Sequence, residues 1–133
     1  APKMTTTAIY EMFNGRDYFE TAKPSEGTQS NYEAKGIAFR VYSAQGSGMI
    51  PLHRCLLSGS GDHFVSLMRS CENERFEGVY GYGYPVQSGG PPAGHIPLYR
   101  MVNPRTGDHA ANTMPTPPAG YQIESVLGYV PEN

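Results

Sequence analysis

The chain is poor in several features that would assign a protein quickly, and each shortage removes a class. Its 133 residues include two cysteines, Cys55 and Cys71, too few for a disulfide framework and without the spacing of a zinc site; one bridge or two free thiols are both open. No apolar run approaches the roughly 20 residues that cross a bilayer. The start, Ala1-Pro2-Lys3-Met4-Thr5, lacks the apolar core of a signal peptide. Membrane insertion is therefore not expected, and the chain reads as soluble, either secreted in mature form or cytosolic. Ten basic and 12 acidic residues leave a net charge of −2 with no long run of either sign, which argues against a nucleic-acid partner.

Catalytic signatures are missing as well. There is no Gly-x-Ser-x-Gly elbow, no His-Glu-x-x-His, no phosphate-binding glycine loop and no acidic pair at a glycosidase-like spacing. The expectation is a protein that is not an enzyme, with no catalytic residue and no cofactor. His53, His63, His95 and His109 would hold a metal only if they converged in the fold, so no metal site is expected.

What the chain does have is repetition. Ile50-Pro51-Leu52-His53-Arg54, closed by Gly61-Asp62-His63, recurs as Ile96-Pro97-Leu98-Tyr99-Arg100, closed by Gly107-Asp108-His109. A worn copy stands at Ala8-Ile9-Tyr10-Glu11 with Arg16-Asp17-Tyr18. A second landmark follows each: Lys35-Gly36-Ile37, Glu77-Gly78-Val79 and Glu124-Ser125-Val126. Copies of this size imply a supersecondary unit that buries its apolar face against its siblings. The expected organisation is a single domain over 1–133 made of three repeats, about 8–49, 50–95 and 96–133.

Sixteen glycines and 12 prolines, dispersed along the chain, argue against long helices. Alternating apolar runs at 8–13, 37–42, 51–57, 63–67, 79–84, 98–102 and 126–130 predict strands, with turn chemistry at Ser58-Gly59-Ser60-Gly61 and Asn103-Pro104-Arg105-Thr106-Gly107. Residues 24–31, 43–49 and 85–95 read as polar surface loops. The fold class is all-β with a threefold internal repeat, and the natural closed solution is a β-trefoil, which leaves no sheet edge unpaired.

The units Pro97-Leu98-Tyr99-Arg100, Asn103 to His109 and Glu124 to Val130 resemble a tandem repeat family of unassigned function, found in secreted bacterial and fungal proteins beside cell-wall or polysaccharide-degrading domains. Gly61-Asp62-His63-Phe64 with Phe76-Glu77-Gly78-Val79 carries the same resemblance in the second repeat; the first is eroded. The resemblance implies an accessory binding role. Trefoil lectins with Gln-x-Trp repeats are a poor match, since the chain has no tryptophan.

The leading functional expectation is a lectin: a non-catalytic, multivalent protein with one shallow sugar site per repeat and glycans or glycoconjugates as partners; homodimerisation stays open. An aspartate after a tight turn offers two acceptor oxygens to sugar hydroxyls, and a neighbouring ring offers a donor and an apolar face. The candidate carbohydrate-binding residues are Asp17 and Tyr18; Asp62, His63 and Phe64; and Asn103, Asp108 and His109. Two competent sites, in the second and third repeats, and a weaker first one are expected. The competing reading makes each aspartate a turn-stabilising acceptor. Other functional alternatives are a protease inhibitor or defence protein working through the loop at 22–31 or 85–95, and a structural or assembly module.

Two further expectations concern packing. Arg54 with Glu77, and Arg100 with Glu124, are expected to form ion pairs, with Glu11 and Lys35 as the charge-reversed counterpart. Tyr80, Tyr82 and Tyr84, two apart on one strand face, could form a sugar-stacking platform or a wall of the core, with Gly81 and Gly83 admitting a neighbouring backbone.

Overall fold

The structure is a computed structural model, and it describes residues 4–132. It is all-β: nine strands, β1 (Thr6–Phe13), β2 (Tyr18–Thr21), β3 (Glu33–Tyr42), β4 (Ile50–Leu56), β5 (His63–Ser66), β6 (Arg75–Gly83), β7 (His95–Val102), β8 (His109–Asn112) and β9 (Gln122–Pro131), with one short helix, α1 (Pro24–Thr28). Proline at the first helical position explains where α1 begins inside a stretch that reads as a polar loop. A 3-10 turn at Cys71–Asn73 occupies the corresponding place before β6.

The strands form two antiparallel sheets, one in the order β2-β1-β3-β6-β4-β5 and one in the order β8-β7-β9. Within them lie three triplets in which a middle strand carries a short partner on one side and a long partner on the other. The middle strands β1, β4 and β7 each break register with the long partner twice, first after Ile9, Leu52 and Leu98. These hydrogen bonds give two open sheets and do not by themselves close a β-trefoil barrel.

Burial follows the pleat. Ile9, Leu52 and Leu98, at matching positions of the three middle strands, are essentially fully buried and share one core with Phe39, Val41, Val65, Leu127 and Val130. The long strands meet at the centre, where Tyr42 pairs with Tyr82 and Tyr84 with Tyr129. That approach is only open to glycine: a Cβ on Gly81 would stand 2.6 Å from the Tyr42 carbonyl oxygen, and one on Gly128 would stand 2.6 Å from that of Tyr84. The tyrosine stripe is correspondingly half-buried: Tyr80 packs on the core and donates its hydroxyl to the Glu20 carbonyl at 2.8 Å.

Cys55 and Cys71 form a disulfide within the second triplet, covered by Phe64 and by the partly buried Leu57 and Phe76.

Candidate functional site

The turns between each middle strand and its short partner are built by side chains that cap backbone amides. Asn14 accepts from the amides of Arg16 and Asp17, and Asn103 from those of Arg105 and Thr106. Gly61 and Gly107 sit at φ of 77° and 81°, left-handed backbone that glycine adopts without cost. The turns then deliver Asp17, Asp62 and Asp108 to one place: one ligating oxygen from each lies within 4.8 Å of the others. Around them is an open cavity of about 410 Å³, lined also by Asn14, Arg16, Tyr32, Ser60 and Thr106.

Carboxylates this close repel one another and lose water. Burial raises Asp17, helped by a hydrogen bond with Asp108, to about 7; burial likewise raises Asp108, to about 6. Two tyrosines answer from the rim: the Tyr32 hydroxyl donates to Asp17 Oδ2 at 2.5 Å, and the Tyr121 hydroxyl donates to Asp108 Oδ2. The aspartates also stitch triplets together. Asp108 accepts from the Tyr18 amide at 3.1 Å, and Asp62 accepts from the His109 amide at 3.2 Å while holding His109 Nδ1 at 2.6 Å. Three carboxylate oxygens so placed also supply part of the roughly six to eight oxygen ligands that a hard cation such as calcium takes.

The eight residues expected to bind sugar therefore divide. The structure gathers the three aspartates into a single cluster, in place of one per repeat. Tyr18 stacks on Phe13, with ring centroids 4.1 Å apart. His63 faces Glu77 at 3.1 Å, while His109 lies between two carboxylates, with Nδ1 on Asp62 at 2.6 Å and Nε2 3.8 Å from Glu124. Phe64 is buried beneath Arg100, and Asn103 is buried as a turn cap. It is the aspartates, not the four histidines, that converge. The hydroxyls of Tyr32 and Tyr121 were not foreseen, although each stands at the same distance ahead of the Gly36 and Ser125 landmarks.

A second set of charged residues lies where triplets abut. Arg54 donates through Nε to Glu77 at 2.9 Å, and through Nη1 and Nη2 to both oxygens of Glu26 at 2.9 and 2.7 Å. Arg100 does the same with Glu124 at 2.6 Å and with Glu72 at 2.7 and 3.2 Å. The same-repeat pairs match expectation; Glu26 and Glu72 come from the neighbouring triplet. Arg54 holds the Glu26 carboxyl down at about 2, and Arg100 lowers that of Glu72. The expected third pair does not form: Lys35 reaches Glu33 at 3.5 Å, while Glu11 takes a hydrogen bond from Asn112 at 3.3 Å.

Residues 1–84 match the sequence profile of a domain of unknown function (DUF5648), and the chain belongs to that family. The match spans β1 to β6 and stops short of the third triplet. Neither the curated proteins nor the solved structures contain a match to it.

Proposed function

We propose that this is a non-catalytic carbohydrate-binding protein whose principal site is the aspartate cavity. The observation that carries the reading is the convergence of Asp17, Asp62 and Asp108 from three separate turns into one open cavity whose other lining side chains are mostly hydrogen-bonding. Carboxylate oxygens, the Tyr32 hydroxyl, Ser60 and Thr106 offer acceptors and donors to sugar hydroxyls, and bonds made within the turns hold Ser60 and Thr106 in place. The three triplets belong to the same proposal as copies of one module about a threefold axis, which is what we retain of the β-trefoil expectation. The disulfide suits an oxidising compartment, in keeping with the secreted proteins that the tandem repeats resemble.

A second reading is favoured by the 4.8 Å closeness of the carboxylates: a divalent cation held by all three. The inhibitor alternative is weaker, because the loop at 22–31 contains α1 and spends Glu26 on Arg54.

A glycan array separates these. The wild type and Asp17→Asn are screened with added calcium and again with a chelator; asparagine keeps the size of the side chain and removes the charge. Specific glycan signal that Asp17→Asn loses in both arms supports direct recognition. Signal confined to the calcium arm assigns the site to a cation that bridges to sugar. A blank array from a folded protein overturns the reading.

A further inference from the structure

We infer that the two arginine-centred seams are a matched pair of additional sugar subsites, each taking a single neutral pyranose. The inference rests on the carbohydrate reading above but on different residues. One groove, of about 250 Å³, runs between the first and second triplets and is lined by Thr21, Lys23, Glu26, Arg54, Glu77 and Val79 among others. The other, of about 390 Å³, runs between the second and third triplets and is lined by Ser66, Leu67, Met68, Glu72, Arg100 and Glu124 among others. Position for position they are built alike: a hydroxyl at the end of the short strand, an arginine on the middle strand, a glutamate on the long strand and a second glutamate from the intervening turn.

The chemistry of each groove is that of a polyol acceptor. The arginine uses one oxygen of the long-strand glutamate, Oε1 of Glu77 and of Glu124, and among the described residues Oε2 of each has no hydrogen-bond partner. These carboxylates are about one quarter and just over one third exposed. His63 stands 3.1 Å behind the first, and His109 3.8 Å behind the second. A carboxylate fixed on one edge and open on the other accepts two hydroxyl protons at no further ordering cost. Beside it stands exposed aliphatic surface for the C–H face of a sugar ring: Val79 in one groove, Leu67 and Met68 in the other, 43%, 43% and 55% exposed. Each arginine already faces two carboxylates, which disfavours an anionic ligand and leaves neutral sugars.

The third seam shows what the pattern needs. With Glu11 at the arginine position and Lys35 at the glutamate position, no such clasp forms there. Two subsites, not three, follow, and two on one protein allow avidity toward clustered glycans.

The test is a chemical-shift titration of the ¹⁵N-labelled chain with methyl glycosides of glucose, galactose, mannose and N-acetylglucosamine at millimolar concentration. The expected result is two sets of shifts, at 77–80 and at 124–127, saturating over the same range. Val79→Asp should weaken the first set roughly tenfold and leave the second, and Leu67→Asp should do the reverse. Shifts confined to residues of the aspartate cavity overturn the inference and leave the proposed function standing. Shifts confined to the grooves support the inference and remove sugar from the cavity. No shift with any glycoside overturns both. The wild-type map decides by itself should either variant fail to fold.

Discussion

The seam between the second and third triplets and the seam between the third and the first use the same strand positions with opposite chemistry. In the former, Arg100 is surrounded by Glu72, Glu124 and the Val65 carbonyl. In the latter, Glu11 stands where the arginine would be, and its register partner Glu20 stands where Val65 and Ala111 stand in the other triplets. Glu20 is 1% exposed, accepts the Ala111 amide through Oε2 at 3.3 Å and leaves Oε1 without a partner. Burial drives Glu20 well above the ordinary carboxylate range, and Glu11 adds to it by repulsion; burial raises Glu11 too. One arginine lets two carboxylates occupy a seam in ionised form. Without it, a seam carboxylate is pushed toward its neutral form.

The largest effect expected from this difference is at Glu20. Glu20→Gln keeps the acceptor for Ala111 and removes the charge, and it should stabilise the protein by about 2 kcal/mol at pH 8. The sign follows from the raised carboxyl. Below the unfolded value near 4.5, Glu20 is protonated in both states and the variant gains nothing; above it, the unfolded state ionises first and the wild type loses stability until the folded group also ionises. Urea midpoints at pH 4 and pH 8 check this, and equal gains at both would break the comparison.

A smaller loss is expected at the arginine seam. Arg100→Gln leaves Glu72 and Glu124 facing each other and should cost about 1 kcal/mol, discounted because both carboxylates are more than one third exposed. Glu11→Gln, at the same strand position, should shift the urea midpoint much less. The smallest effect comes from rebuilding the third seam. Glu11→Arg with Lys35→Glu should gain about 0.5 kcal/mol and flatten the pH dependence attached to Glu20. A double variant that retains the full pH dependence would show that burial alone sets the behaviour of Glu20.

Much of this architecture was legible residue by residue. The middle and long strands announce themselves by alternation, and Arg54 with Glu77 could be paired because both lie in one repeat, on strands that run side by side. The short strands were harder. In β8, His109 to Asn112 offers two alanines and three buried residues in a row, with no alternation to read. Glu26 and Glu72 could not be assigned, since their partner lies in the next triplet and the turns that present them differ, a helix in one and a 3-10 turn in the other. The aspartate cluster was hidden for the same reason. The recurring motifs were visible, but how the triplets dock depends on contacts such as Tyr18 to Asp108, far apart in sequence. The failed Glu11–Lys35 pair shows the limit of charge reversal as a signal: the swapped side chains have other partners within reach.

The disulfide gives the two arginine seams different chemical vulnerabilities. Cys71 is the neighbour of Glu72, and Cys71, Glu72 and Asn73 all have positive φ, at 54°, 56° and 70°, an uncommon run of three for residues with side chains. The bond to Cys55 is one of the ties on this turn, beside its own backbone hydrogen bonds and the Ser66 hydroxyl on Glu72. α1, which presents Glu26, contains no such covalent tie. Reduction should therefore loosen Glu72 on Arg100 more than Glu26 on Arg54, so that a reducing medium would tell apart two seams that are otherwise built to the same plan.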